Sequence, residues 1–165
     1  MTDRVAIPAP ASLRARLADI VARLERFPLS VLQLLFRVSI AAVFWNSGLT
    51  KIASWQSTIV LFRDEYRVPV LPPDLAATMS ATFELGCSVL ILVGLATRIA
   101  TLPLLGMLAT IQLFVYPQAW SEHLVWGSIL LFLLTRGAGS ISLDHAIASA
   151  LRTRGRSVGA QAFTR

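Results

Sequence analysis

The stretch LSVLQLLFRVSIAAVFWNSGLTKI, residues 29–52, carries only two charged side chains, Arg37 and Lys51. A run of about 20 predominantly apolar residues is long enough to cross the hydrocarbon core of a bilayer as a helix. In lipid each backbone N–H and C=O must find its partner inside the protein, and a helix satisfies them within one segment. Comparable runs follow at residues 74–95, 99–116 and 118–135, the last two near the lower limit of length. Pro117 opens the fourth run, where a first-turn proline costs a helix little. Residues 53–73 form the only long connection and hold Arg63, Asp64, Glu65, Arg67 and a Pro-Pro pair. The turns at residues 96–98 and around Pro117 are short, so the second, third and fourth helices are antiparallel neighbours. The expected fold is all-α: a transmembrane four-helix bundle over residues 29–136.

The bulk composition agrees with this reading. The chain has 165 residues, enough for one domain. It is 55% hydrophobic with 15% charged residues, and its mean hydropathy is +0.66. Soluble domains carry about a quarter charged residues, so a water-facing surface is excluded for most of this chain. The net charge of +6 does not indicate nucleic acid, because the basic residues sit at the two ends and the middle is apolar. Cys87 is the single cysteine, which excludes an internal disulfide and a CxxC redox motif. No cleavable signal peptide is expected, since the first long apolar stretch begins at Leu29 and no small-residue cleavage site follows it.

Two flanks complete the organisation, at residues 1–28 and 137–165. Residues 1–10 contain two prolines and are expected to be flexible. Over residues 11–27 Leu13, Leu17, Ile20, Leu24 and Phe27 recur at spacings of four and three, with Arg14, Arg16, Arg23 and Arg26 between them. This is an amphipathic helix with a basic face, suited either to an anionic leaflet or to packing on the protein's own end. In residues 137–145, Gly137 and Gly139 suit the conformation that stops a helix. Ser142 then caps a short helix with Asp144 in its first turn. The segment is not a nucleotide loop, because Ser142 stands where GxGxxG has its last glycine and no strand precedes it.

Orientation follows from Lys and Arg. Eleven lie on the side of the two ends and the second turn, against Lys51, Arg63 and Arg67 on the other, with Arg37 within the first span. The eleven are expected in the cytoplasm. Trp45, Trp55, Tyr66, Tyr116, Trp120 and Trp126 gather toward the outer face, as an interfacial belt does.

Arg37 and Glu84 are the charges at greatest depth. Counting at 1.5 Å per residue puts them about 12 and 16 Å above the cytoplasmic ends of their helices. An unpaired charge there costs at least about 2.5–3.5 kcal/mol, so each is expected to point at a partner. The sequence predicts that they pair, as a buried ion pair fixing helix register or as a proton or ligand site. A second polar layer, nearer the outer face, comprises Asn46, Lys51, Gln112, Glu122 and His123. With Trp120 and Trp126 it offers a ligand or quinone pocket, or polar bonding between helices. No catalytic residue and no metal site are expected: His123 and His145 belong to opposite sides of the membrane, and Cys87 has no second thiolate or imidazole near it in sequence.

These residues resemble the DoxX family of small bacterial membrane proteins, whose members are four-helix bundles. The resemblance rests on Arg37, Gly48-Leu49-x-Lys51, Glu84, Gly94-Leu95-Ala96-Thr97-Arg98 and Gly139-x-x-Ser142-Leu143-Asp144, and covers about residues 30–146. Gly137-Ala138-Gly139-Ser140 departs from the Gly-Pro-Gly-Arg frequent in the family, and neither the N-terminal amphipathic segment nor the Arg-rich tail has a counterpart there. The resemblance implies a partner subunit in a membrane redox or stress-response system, including thiosulfate–quinone oxidoreductase and thiol-stress assemblies. It carries over no catalytic residue. The leading expectation is such a subunit in the bacterial inner membrane, with lipid and protein partners, no intrinsic cofactor and a quinone nearby. Two further readings stay open: a transport-like accessory protein handling a small ligand, metal or metal-binding peptide, and a structural scaffold. A homo-oligomer is compatible with each.

Overall fold

The computed structural model describes residues 13–67 and 71–162, with side chains as far as Arg152. The expectation for residues 1–10 lies outside the described residues. All regular structure among the described residues is helical. In chain order it consists of α1 (Leu13–Glu25), α2 (Leu29–Ala53), α3 (Trp55–Leu61), α4 (Pro73–Val93), α5 (Thr97–Thr110), α6 (Trp120–Arg136) and α7 (Leu143–Ala162). Two π turns extend helices: Phe62–Tyr66 follows α3 and Ile111–Val115 follows α5, each closed by a bond spanning five residues, Arg67 N to Phe62 O and Tyr116 N to Ile111 O.

Leu29–Ala53, Pro73–Val93 and Thr97–Val115 are long and apolar enough to cross a membrane. The fourth expected run begins later than the sequence suggests. Pro117–Ala119 forms a 3-10 turn, and α6 proper has 17 residues, about 26 Å of helix. Proline lacks the N–H of an α ladder but suits the tighter turn that opens it. The long connection is not a plain loop, since α3 and its π turn occupy most of it. The C-terminal helix runs 20 residues rather than a short few.

The core lies where α2, α4, α5 and α6 meet, with Ile40, Phe44, Ile91, Leu104, Leu130 and Leu133 buried. Phe36 meets Phe132 edge-on at 5.0 Å, and Phe44 meets Trp126 at 6.3 Å. α2 and α4 approach closely at Gly48, where a Cβ would stand 2.8 Å from Leu85 Cγ, the use of small residues expected between membrane helices. Large apolar side chains elsewhere on these helices are bare, among them Ile99 at 70% and Leu113 at 68%. In water such surface is a liability; in lipid it is the outer coat of a multi-pass protein.

One end of the bundle carries α1, α7 and the α4–α5 turn, and the Ser140 hydroxyl donates to Ser30 Oγ there at 2.6 Å. Helix termini leave carbonyls and amides without partners, and side chains answer them here. Gln33 Nε2 donates to the carbonyls of Arg136 and Gly137, and Arg98 to that of Thr135. Gly94 ends α4 at φ 72, and Gly94 N and Leu95 N both return to Leu90 O. A Cβ at Gly94 would fall 2.6 Å from Ser142 Cβ and 2.7 Å from Arg37 Nη2, so glycine is required by space as well as by backbone. Asp144 holds the same turn. Its N–H donates to Gly94 O at 3.0 Å, and its carboxylate accepts from Ala96 N and Thr97 N at the start of α5. Ser142 caps α7 as its sequence position implies, accepting from His145 N at 3.2 Å.

Candidate functional site

Arg37 and Glu84 are both buried, at 2% exposure each, but they do not meet. Arg37 Nε donates to Ile91 O at 2.8 Å, Nη2 to Leu92 O at 2.5 Å, and Nη1 to Ala138 O at 3.1 Å and Ile141 O at 2.5 Å. Its guanidinium therefore closes the C-terminal end of α4 and holds the segment after α6. The expected ion pair is corrected by the stagger of the helices. The first turns of α2 run past the end of α4, so Arg37 is level with Ile91, whereas Glu84 is level with Gly48, whose added Cβ would stand 3.2 Å from Glu84 Cβ. Seven residues along α4 separate Glu84 from Ile91, about 10 Å.

Glu84 takes Lys51 instead. Lys51 Nζ donates to both carboxylate oxygens at 2.8 Å and to Ser47 Oγ at 2.9 Å, and the Ser47 hydroxyl donates to Glu84 Oε1 at 3.2 Å. The spacing Ser47–Lys51 is one turn of α2, which aims both groups across at α4.

On the other side of the bundle His123 is 8% exposed. Gln112, in the π turn after α5, sends Nε2 to Pro117 O at 2.9 Å and faces His123 Nδ1 with Oε1 at 2.7 Å. The amide can place its NH2 on only one of these partners, and the Pro117 carbonyl needs a donor. Oε1 therefore faces the imidazole, and Nδ1 carries a proton toward it. Trp126 lies 5.6 Å from the imidazole.

The two polar groups line one cavity of about 500 Å³, within the roughly 300–1,000 Å³ of small-molecule sites. Met79, Phe83, Met107 and Trp126 supply apolar wall, and Gly106 leaves a gap in α5 where an added Cβ meets no atom within 4 Å. Over the end remote from α1 and α7 lie Phe62, Tyr66 and Tyr116, stacked edge-on in series at 5.0 and 5.6 Å. The Tyr116 hydroxyl donates to Glu65 Oε1 at 2.6 Å. That bond raises the Tyr116 phenol above its ordinary pKa, because losing the proton would set a phenolate against a carboxylate. Burial raises that of Tyr66.

Of the residues singled out from sequence, Lys51, His123 and Trp126 line the cavity and Gln112 stands behind His123. Glu122 also reaches its lining. Asn46 and Trp120 do not: Asn46 is on the exposed side of α2, and Trp120 is 63% exposed at the start of α6. Ser47, Tyr66, Tyr116, Met79, Met107 and Gly106 were missed. Only Ser47 had a signal, its spacing of four from Lys51. Among the described residues no group of three or more His, Cys, Asp or Glu could hold a metal ion.

Neither curated proteins nor solved structures match the chain. The DoxX family model matches residues 32–117, which takes in Arg37, Lys51, Glu84 and the α4–α5 turn and stops before α6. Spanning-length apolar helices, a buried Arg37 and Lys51–Glu84 pair, and a match over more than half the chain lead to one assignment: the chain is a multi-pass integral membrane protein that belongs to the DoxX family.

Proposed function

We propose that the chain is a membrane subunit of a redox or stress-response assembly and that its cavity receives the head group of a quinone. One observation carries the reading. A single apolar cavity at membrane depth joins two separate polar groups, Lys51–Glu84–Ser47 from α2 and α4 and His123–Gln112 from α6 and α5. A flat ring with oxygens at opposite edges needs that mixture: donors and an acceptor at two places, and apolar faces between. Lys51 would turn toward the ring one of the N–H groups it now gives to Glu84 and Ser47, and a neutral His123 would accept at Nε2 from a hydroxyl of the reduced ring. In this proposal α6 makes a fourth crossing, and both termini lie on the cytoplasmic side of a bacterial inner membrane. The eleven-to-three distribution of basic residues supports that orientation. Protein partners would supply the electron-transfer cofactors.

The test is binding of a short-chain quinone analogue to the purified protein, read by quenching of tryptophan fluorescence. Gly106→Phe should abolish binding by placing a ring in the cavity that Gly106 lines, where an added Cβ meets no atom within 4 Å. His123→Ala with Gln112→Ala should weaken it about tenfold, the worth of one hydrogen bond. Equal affinity in all three proteins, or none in the unaltered one, removes the quinone reading.

A further inference from the structure

α1 ends at Glu25, and α2 enters the membrane from Leu29. The intervening residues 26–28 reach about 10 Å when extended, so the near end of α1 cannot leave the surface of that bilayer. No residue of α1 is buried. Its apolar side chains stand bare: Leu13 is 74% exposed, Leu17 53%, Ile20 53%, Val21 52% and Leu24 68%. At about 100° per residue these five fall within one arc of about 100°. Arg14 borders the arc on one side, and Arg16 with Arg23 on the other. The sequence reading left two covers for this stripe, a leaflet or the protein's own end; with every stripe residue more than half exposed, no described part of the protein covers it.

We propose that α1 is an interfacial helix that docks on the anionic phospholipid headgroups of the leaflet α2 enters. The charges favour lipid over a second copy. Arg14, Arg16, Arg23 and Arg26 against Asp19 and Glu25 leave a net +2, which repels its like and is attracted to phosphate. Asp19 already engages Arg23 at 2.9 Å. The arginine stems at the edges of the stripe can lie along acyl chains while their guanidinium groups stay at phosphate level. α7 leaves the same end of the bundle with Leu143, Ile147 and Leu151, spaced by four, at 46%, 48% and 64% exposure. It gives the same leaflet a second apolar contact.

The test uses the full chain, one copy per nanodisc, in phosphatidylcholine with or without phosphatidylglycerol. An environment-sensitive fluorophore is placed at Ile20→Cys or at Ala18→Cys, outside the stripe, with the buried Cys87 left in place. With phosphatidylglycerol present, the Ile20 probe should be severalfold less quenched by acrylamide than the Ala18 probe. The difference should shrink at high salt and in an Arg14→Gln, Arg16→Gln variant, because exposed charges are screened over about 8 Å at physiological ionic strength. Equal quenching of the two probes overturns the proposal. So does protection that is the same without phosphatidylglycerol, or protection that appears only with two copies per disc, which would give the face to a second copy.

Discussion

Two cations sit on α2, Arg37 buried and Lys51 fourteen residues on and largely covered, and the protein uses them differently. Around Arg37 every bond runs to a backbone carbonyl, the neighbouring helix ends are capped by side chains, and a Cβ at Gly94 has no room. Around Lys51 the bonds run to side chains, a cavity opens beside them, and Gly106 faces space. The first end is closed by donors matched to orphan carbonyls; the second leaves an open cavity. Burial of charge in a membrane helix therefore does not by itself distinguish structure from function. What distinguishes them is whether the partner is main chain or side chain and whether space remains.

That contrast breaks most readily at Arg37. Arg37→Ala leaves four carbonyls without their donor, and unfolding in mild detergent should show a loss of about 4 kcal/mol or more. Arg37→Lys should recover only part of it, because a point ammonium cannot reproduce the fork. A loss as small as that of a surface arginine would end the claim that this end is closed by Arg37.

Next in size is the Lys51–Glu84 pair. Glu84→Ala should cost about 3 kcal/mol, since Lys51 is left buried without its acid. Lys51→Met combined with Glu84→Leu should return close to the original stability, because the two groups chiefly satisfy each other. The cycle Arg37→Ala with Glu84→Ala should show coupling below about 0.5 kcal/mol, as separated sites do. Coupling of several times that value would restore the ion pair read from sequence.

The smallest effect is expected at the α4–α5 turn. Asp144→Ala removes the carboxylate that accepts from Ala96 N and Thr97 N, and thermal unfolding should show a loss of about 1 kcal/mol. Asp144→Asn, which keeps one acceptor, should lose less.

The sequence carried the helices because lipid forces long apolar runs into one form, and Gly94, Pro117 and Gly137 marked where they stop. It did not carry their relative heights. Counting residues places Arg37 along α2 alone, and the overhang of α2 past α4 depends on how residues 137–141 tuck beneath them. The cavity was half legible. Lys51 and His123 stand out as polar groups in apolar runs. Asn46 and Ser47 are neighbours, but about 100° of helical rotation separates them, and only Ser47 faces α4. Met79 and Met107 carry no signal, because an apolar residue against lipid and one against a cavity are written with the same letters.

The π turns at Phe62–Tyr66 and Ile111–Val115 flank that cavity, and each holds one residue more than an α ladder needs. The rim is thus set by chain length as much as by residue type. Deleting Leu113 would let α5 close as a regular helix, turn Gln112 and Tyr116 relative to each other by about 100°, and separate Gln112 from either Pro117 or His123. All the residues that touch the cavity would still be present. A relative with an identical lining but one residue fewer in this segment is expected to keep the fold and lose the pocket.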